Sequence, residues 1–106
     1  MDFSKIVAKV KEVRALYAEL EKKKYGQEWT PAQIAQGFVG DVGDLMKLVM
    51  SKEGIRDIEN SDEKLKHELC DCLWSLLILA DKFDVDLEET FISNIDLLEK
   101  RIKADL

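Results

Sequence analysis

The chain has 106 residues, 46% of them hydrophobic and 36% charged, which bounds it to one soluble globular domain with a modest core of its own. Sixteen Lys and Arg against 22 Asp and Glu give a net charge of −6 and exclude a nucleic-acid polymer as partner, because phosphate contacts need a basic patch. A small nucleotide carried with a metal ion remains compatible with that charge.

Met1 is followed by Asp2 and a charged amphipathic pattern, not by the apolar core of a signal peptide. The longest nearly apolar run, Leu69 to Ala80, contains Asp71 and is too short to span a bilayer. No membrane partner and a cytoplasmic location are therefore expected. One proline and no alternating apolar runs predict an all-α chain forming a single domain over residues 1–106.

The first helix is predicted from Asp2 to about Lys24, with an apolar stripe of Phe3, Ile6, Val7, Val10, Val13, Tyr17 and Leu20. Lys22, Lys23 and Lys24 suit its negative end, and Gly26 is the expected stop. Thr30-Pro31-Ala32-Gln33 is a capping box with proline at the first helical position, and opens a second helix to about Met50. A charged, turn-rich loop from Ser51 to Ser61 follows. Ser61 or Asp62 is the expected cap of a third helix ending near Phe83. Asp86-Leu87-Glu88-Glu89 is a second capping box, opening a fourth helix to about Lys103 with the stripe Leu87, Phe91, Ile95, Leu98 and Ile102. Four helices with short connections predict an antiparallel four-helix bundle. Cys70 and Cys72, two apart on a helix, point to nearly opposite sides and read as core or near-core thiols, not as a disulfide or zinc site.

Two helices carry carboxylates where apolar residues belong. On the second, Ile34, Phe38, Val42, Leu45 and Val49 share one arc at about 100° per residue. Asp41 falls inside that arc and Asp44 at its edge. On the third, Asp71 is the lone charge between Leu69 and Ala80, and Glu68 borders the stripe of Leu65, Leu69, Cys72, Leu76 and Leu79. An unpaired carboxylate in such surroundings costs several kcal/mol or stays protonated. Acids at i and i+3 point the same way, so each helix offers two carboxylates to one point. A divalent cation relieves all four together, and an all-oxygen set selects magnesium or manganese over zinc. The alternative is a structural network in which Asp41 pairs with a lysine and Asp71 with an arginine.

The glycines of GFVGDVGDLMKLV, at 37, 40 and 43, each cost about 1 kcal/mol against alanine in a helix. Gly37 and Gly40 predict open space beside Asp44, and Gly43 a close helix approach. Trp29, Phe38 and Trp74 are candidates for stacking on a base. Trp74, opposite the stripe of its helix, reads as an interface residue and His67 as an ordinary surface one.

The pairs Asp41-Val42-Gly43-Asp44 and Glu68-Leu69-Cys70-Asp71 resemble the E-x-x-E … E-x-x-D signature of the MazG-like all-α nucleoside triphosphate pyrophosphohydrolases. Gln27 to Thr30 is similar to the family's lead-in, and LILADKFDVDLEETFISN, Leu77 to Asn94, to its third-helix end and fourth-helix start. The likeness covers Trp29 to Arg101. It implies magnesium-dependent hydrolysis of a nucleoside triphosphate to the monophosphate and pyrophosphate, with Asp41, Asp44, Glu68 and Asp71 as catalytic metal ligands. It implies a homodimer or homotetramer whose bundle is completed across the interface. It also implies nucleotide contacts from Asn94 and from Lys100 or Arg101 on the fourth helix. The chain departs from the family pattern at Gly40, where a second glutamate commonly stands, at Asp41 and Asp44, which replace longer glutamates, and at Asp96, which replaces a lysine. A catalytically inert MazG-like dimer that binds nucleotides or regulates is the alternative. A di-iron bundle would need Glu-x-x-His pairs, which the chain lacks.

Overall fold

The computed structural model describes residues 2–106, which form four helices and no strand: α1 (Phe3–Tyr25), α2 (Pro31–Lys52), α3 (Ser61–Lys82) and α4 (Leu87–Asp105). The helix ends follow local chemistry. Asp2 caps α1 by accepting the Lys5 N–H at 3.0 Å, and Gly26, at φ 82°, closes it with its N–H on the Lys22 carbonyl. The box at α2 is reciprocal: Thr30 Oγ1 accepts from the Gln33 N–H at 3.2 Å, and Gln33 Oε1 accepts from the Thr30 N–H at 2.9 Å. Asp86 caps α4 by accepting the Glu89 N–H at 3.1 Å.

The third cap differs from expectation. Asn60 occupies it, in the left-handed region at φ 60°, and makes no side-chain cap bond. Asparagine tolerates that conformation better than most residues. Ser61 and Asp62 are instead the first helical residues, with Asp62 paired to Lys52 at the end of α2 and placed against the positive end of α3. α2 therefore runs two residues beyond Met50, to Lys52, before Gly54 turns the chain at φ 79°.

α2 and α3 pack along their length as an antiparallel hairpin. Lys52 meets Asp62 next to the loop, and Asp41 meets Glu68 midway. Ile34 shares a cleft with Trp74 and Ile78 at the far end. α1 lies against the C-terminal half of α3, where Lys11 reaches Asp81 at 3.2 Å. α4 packs against none of the others along its length and buries no residue. The all-helical fold is as expected, but one chain leaves the bundle open.

The expected stripes hold in part: Ile34, Phe38 and Leu45 on α2, Leu65, Cys72 and Leu79 on α3, and Phe3, Ile6, Val7, Val10 and Val13 on α1 lie on the packing faces, and the remaining members of those stripes do not. On α2, Ile34 and Leu48 are buried and Phe38, Asp41 and Leu45 half-buried, while Val42 and Val49 are exposed. On α3, Leu65, Glu68, Cys72, Ser75 and Leu79 face inward, while Leu69 and Leu76 are exposed. On α1, Arg14 and Glu21 are buried where Tyr17 and Leu20 were expected. The cause is common to the three helices: each carries apolar residues on more than one face, so hydrophobicity alone does not select the face used. Cys72 is a core thiol, but Cys70 is exposed.

Among the described residues only Ile34, Leu48, Cys72, Leu77 and Ile78 are buried apolar residues, and of these Ile78 alone is fully enclosed. Seams spaced by three and four remain open to solvent: Val39, Val42, Met46 and Val49 on α2, Leu69, Leu73 and Leu76 on α3, and Phe91, Ile95, Leu98 and Ile102 on α4. No described helix is long and apolar enough to cross a membrane.

Candidate functional site

The registers of α2 and α3 bring three of the four motif acids together. Asp41, Asp44 and Glu68 each contribute a carboxylate oxygen to a group whose members all lie within 4.8 Å of one another. Asp41 holds the central place on the packing face of α2, three residues after Phe38 and four before Leu45, and Glu68 holds the corresponding place on α3. Asp44 is exposed at the rim. Asp71, one turn beyond Glu68, stands outside this group, with Oδ2 3.3 Å from His67 Nε2. His67 is exposed, as expected, but it partners a motif acid.

The electrostatics of the cluster are unfavourable as they stand. Burial first, and then the charges of Asp71 and Asp44, push the Asp41 carboxyl above its ordinary value. Burial, and then Asp41, Asp71 and Asp44, push Glu68 up in the same way. Burial and the same acids raise the neighbouring Cys72 thiol. Glu68 Oε2 is buried and has no hydrogen-bond partner. The structural network weighed from the sequence is absent among the described residues: no lysine or arginine pairs with any of the four acids, and Asp71 has only His67. Hard oxygen donors, mutual repulsion and an orphaned carboxylate oxygen are the donor set that a magnesium or manganese ion fits.

A cleft of about 400 Å³ adjoins the cluster, and Asp41 lines both. Tyr17, Tyr25, Trp29 and Trp74 give it aromatic walls, and Arg14 and Glu21 lie among its other lining residues. Arg14 and Glu21 form a buried bidentate pair, Nη1 to Oε2 at 2.8 Å and Nη2 to Oε1 at 2.9 Å. The hydrogen bond from Arg14 holds the Glu21 carboxyl below its ordinary value despite burial. Glu21 Oε1 also accepts the Trp29 N–H at 2.8 Å and so ties the α1–α2 connection to α1. The Trp29 ring lies over Gly37, its Cζ3 3.8 Å from where a Cβ would stand.

The expected nucleotide contacts divide. Trp29 is in the cleft. Phe38 is half-buried on the packing face of α2 and is not among the cleft residues. Asn94 and Arg101 share a separate groove on α4 with Leu97 and Leu98, and Lys100 is exposed on the same helix. Within one chain α4 lends nothing to the acid cluster or the cleft, because it does not pack against the other helices. Trp74, a stacking candidate in the sequence, also lines the cleft. Arg14, Glu21, Tyr17 and Tyr25 are additions. Arg14 was open to detection, since it lies four after Val10 and three before Tyr17 on the stripe itself. Gly43 has nothing within 4 Å of where a Cβ would stand, so the close approach expected there is not made within the chain; Gly40 is equally open.

No family model matches the chain, and no solved structure matches it. It is 32% identical over 72 residues to the Gene 37 protein of Mycobacterium phage L5. That stretch takes in 64% of this chain and 62% of the phage protein, so the chain spans less than two thirds of the relative it matches.

Proposed function

We propose that the protein is a magnesium-dependent nucleoside triphosphate pyrophosphohydrolase, releasing the nucleoside monophosphate and pyrophosphate and serving to clean or control a cytoplasmic nucleotide pool. The observation that carries this reading is the placement of Asp41, shared by the acid cluster and the aromatic cleft. A ligand lying across it has a flat, stackable end among Tyr17, Tyr25, Trp29 and Trp74 and a polyanionic end beside the acids. A phosphate is repelled by bare carboxylates, so the anionic end needs a cation between them. Asp41, Asp44 and Glu68 would hold that cation, with Asp71 and its His67 partner one turn away.

The cation, when bound, supplies charge neutralisation at the phosphoryl oxygens and a lowered pKa for water. The chain's own residues orient. The aromatic walls fix the base, and the cluster fixes the distance from base to reacting phosphorus, which is the positioning part of catalysis. The likeness to MazG-like enzymes in the two acid pairs and their flanks supports the same reading. It also supports a homodimer or homotetramer in which α4 of a second copy brings Asn94, Lys100 and Arg101 toward the phosphates, since α4 has no partner in its own chain.

An inert nucleotide-binding dimer is the second reading, favoured by Gly40, where the open space holds no side chain to orient water. A panel of nucleoside triphosphates with magnesium, assayed for pyrophosphate, separates the two. The enzyme reading expects release that is lost in Glu68→Gln and Asp71→Asn. Tight nucleotide binding without release from any triphosphate would replace it with the inert reading.

A further inference from the structure

The cleft beside the acid cluster gathers the electron-rich rings of the chain. Both tryptophans and both tyrosines of the sequence line it, and none of the four phenylalanines does. Packing alone does not call for that division, since phenylalanine fills apolar space as well. The rings are within reach of a ligand: Tyr17, Tyr25 and Trp29 are 53%, 68% and 43% exposed. Two of the three charged lining residues are spent on each other. Arg14 and Glu21 neutralise one another through their bidentate pair, and Glu21 Oε1 takes the Trp29 N–H as well. Asp41 is the lining charge left over, and among the described residues no lysine or arginine pairs with it.

We propose that this cleft takes a flat ring carrying a positive charge, and that among nucleotides it prefers a base made cationic by N-alkylation, such as 7-methylguanine or 1-methyladenine, to the neutral parent. The proposal rests on the nucleotide reading of the site and adds its substrate class. A cation is drawn to the negative face of an aromatic ring, and tryptophan offers the best such face. Stacking by itself tolerates any neutral base, because every base has a flat face. Alkylation at a ring nitrogen changes the charge of the base and leaves it flat, so it alters the one property to which a wall of indoles and phenols responds. The charge at the end of the cleft has the complementary sign. Asp41, Asp44 and Glu68, when ionised, carry more negative charge than one magnesium ion offsets, so the loaded cluster does not repel a cationic base. Arg14 does not repel it either, its charge being met by Glu21 at 2.8 and 2.9 Å.

The test is binding of 7-methyl-GMP against GMP, and of 1-methyl-AMP against AMP, to the full chain at slightly acid pH, where both methylated bases are cations. A third pair, 1-methylnicotinamide against nicotinamide, supplies a flat cation with neither sugar nor phosphate. Both tryptophans lie in the cleft, so quenching of their emission reports a ligand seated there. The cationic member of each pair should bind about fivefold tighter or more. Trp29→Leu and Trp74→Leu should each shrink that ratio while leaving the net charge of −6 unchanged. Equal binding within the pairs, no binding of any ligand, or a ratio undiminished in both variants overturns the proposal; the last result assigns the preference to the acids alone. Should the variants fail to fold by circular dichroism, the wild-type ratio in about 0.5 M salt decides, because screening removes the pull of distant acids and not a ring contact. The nucleotide reading fails separately: preference for 1-methylnicotinamide with no nucleotide bound removes that reading and leaves the cleft its choice of a cationic ring. Turnover of triphosphates with no preference within any pair does the reverse.

Discussion

Asp41 and Glu68 meet across the contact between α2 and α3, each at a place on its packing face where a leucine would give a more stable hairpin. Both carboxyls are pushed above their ordinary values, by burial first and then by the charges of neighbouring acids: Asp71 and Asp44 for Asp41, and Asp41, Asp71 and Asp44 for Glu68. The metal-free chain is therefore least comfortable where its site is assembled.

Glu68→Gln removes one charge from the cluster at nearly constant shape. The metal-free melting temperature is expected to rise and the response to magnesium to shrink, while pyrophosphate release disappears. A thermal melt of the variant with and without magnesium checks this. A variant less stable than wild type without metal would show that Glu68 is not strained.

The pH profile follows from two opposite signs. Asp41 and Glu68 bind protons more tightly folded than unfolded, so their contribution is fully present below the ordinary values of 3.8 and 4.5 and is lost as pH rises through the raised folded values. Glu21 is lowered, so its contribution is present above 4.5 and is lost as pH falls through its folded value. Metal-free stability should therefore increase as pH falls through the raised values of Asp41 and Glu68 toward 4.5, and below 4.5 the loss from Glu21 opposes the gain. Magnesium at neutral pH should raise stability and flatten the upper limb, because a ligand of the folded state stabilises it. Melting curves across that range, with and without magnesium, test both limbs.

Glu21→Gln leaves Arg14 charged and buried without a counter-ion. Removing one member of a buried pair costs about 3 kcal/mol, and chemical denaturation should show a loss of that order. The tryptophan emission should shift to the red as Trp29 loses its anchor on Glu21.

On α4, Phe91 and Leu98 are 60% and 44% exposed in one chain. If nothing covered them, Phe91→Glu and Leu98→Glu would alter stability by no more than about 0.5 kcal/mol, as surface changes do. In the proposed oligomer the pair should instead convert a larger species to monomer in sedimentation and lower the melting temperature by several degrees.

Gly40→Ala meets nothing within 4 Å. It should stabilise by up to about 1 kcal/mol through helix propensity alone. A loss of magnesium response in this variant would show that the space beside the acids is used by the bound state.

The helices and their caps at Thr30 and Asp86 were readable because caps are written in adjacent residues: Thr30 and Gln33 make the full box, while Asp86 accepts the Glu89 N–H without a return bond from the Glu89 side chain. Asn60 was not, since its role depends on a left-handed backbone and not on a side-chain bond. The acid pairs were readable because charge is conspicuous among leucines. The faces were read correctly at Ile34, Phe38, Leu45, Leu65, Cys72 and Leu79 and missed at Val42, Val49, Leu69 and Leu76, because α2 and α3 are apolar on two sides and periodicity does not say which side its own chain covers. The same ambiguity hid Arg14 and Glu21, whose pairing needs the bend that returns Trp29 to α1. It also made the α4 stripe look like core, where the chain leaves Ile95 and Ile102 in solvent.

The unpartnered α4 has a consequence for how the protein behaves on dilution. With so small a core in each chain, much of the free energy of folding would come from contacts that form only between chains, and mass action then governs both. Refolding would be second order in protein at its final step, and the melting temperature would climb with concentration. In the proposed oligomer, a nucleotide seated at a site to which two copies contribute would hold those copies together, so the supply of the proposed ligand would set the fraction of the protein that exists in folded form.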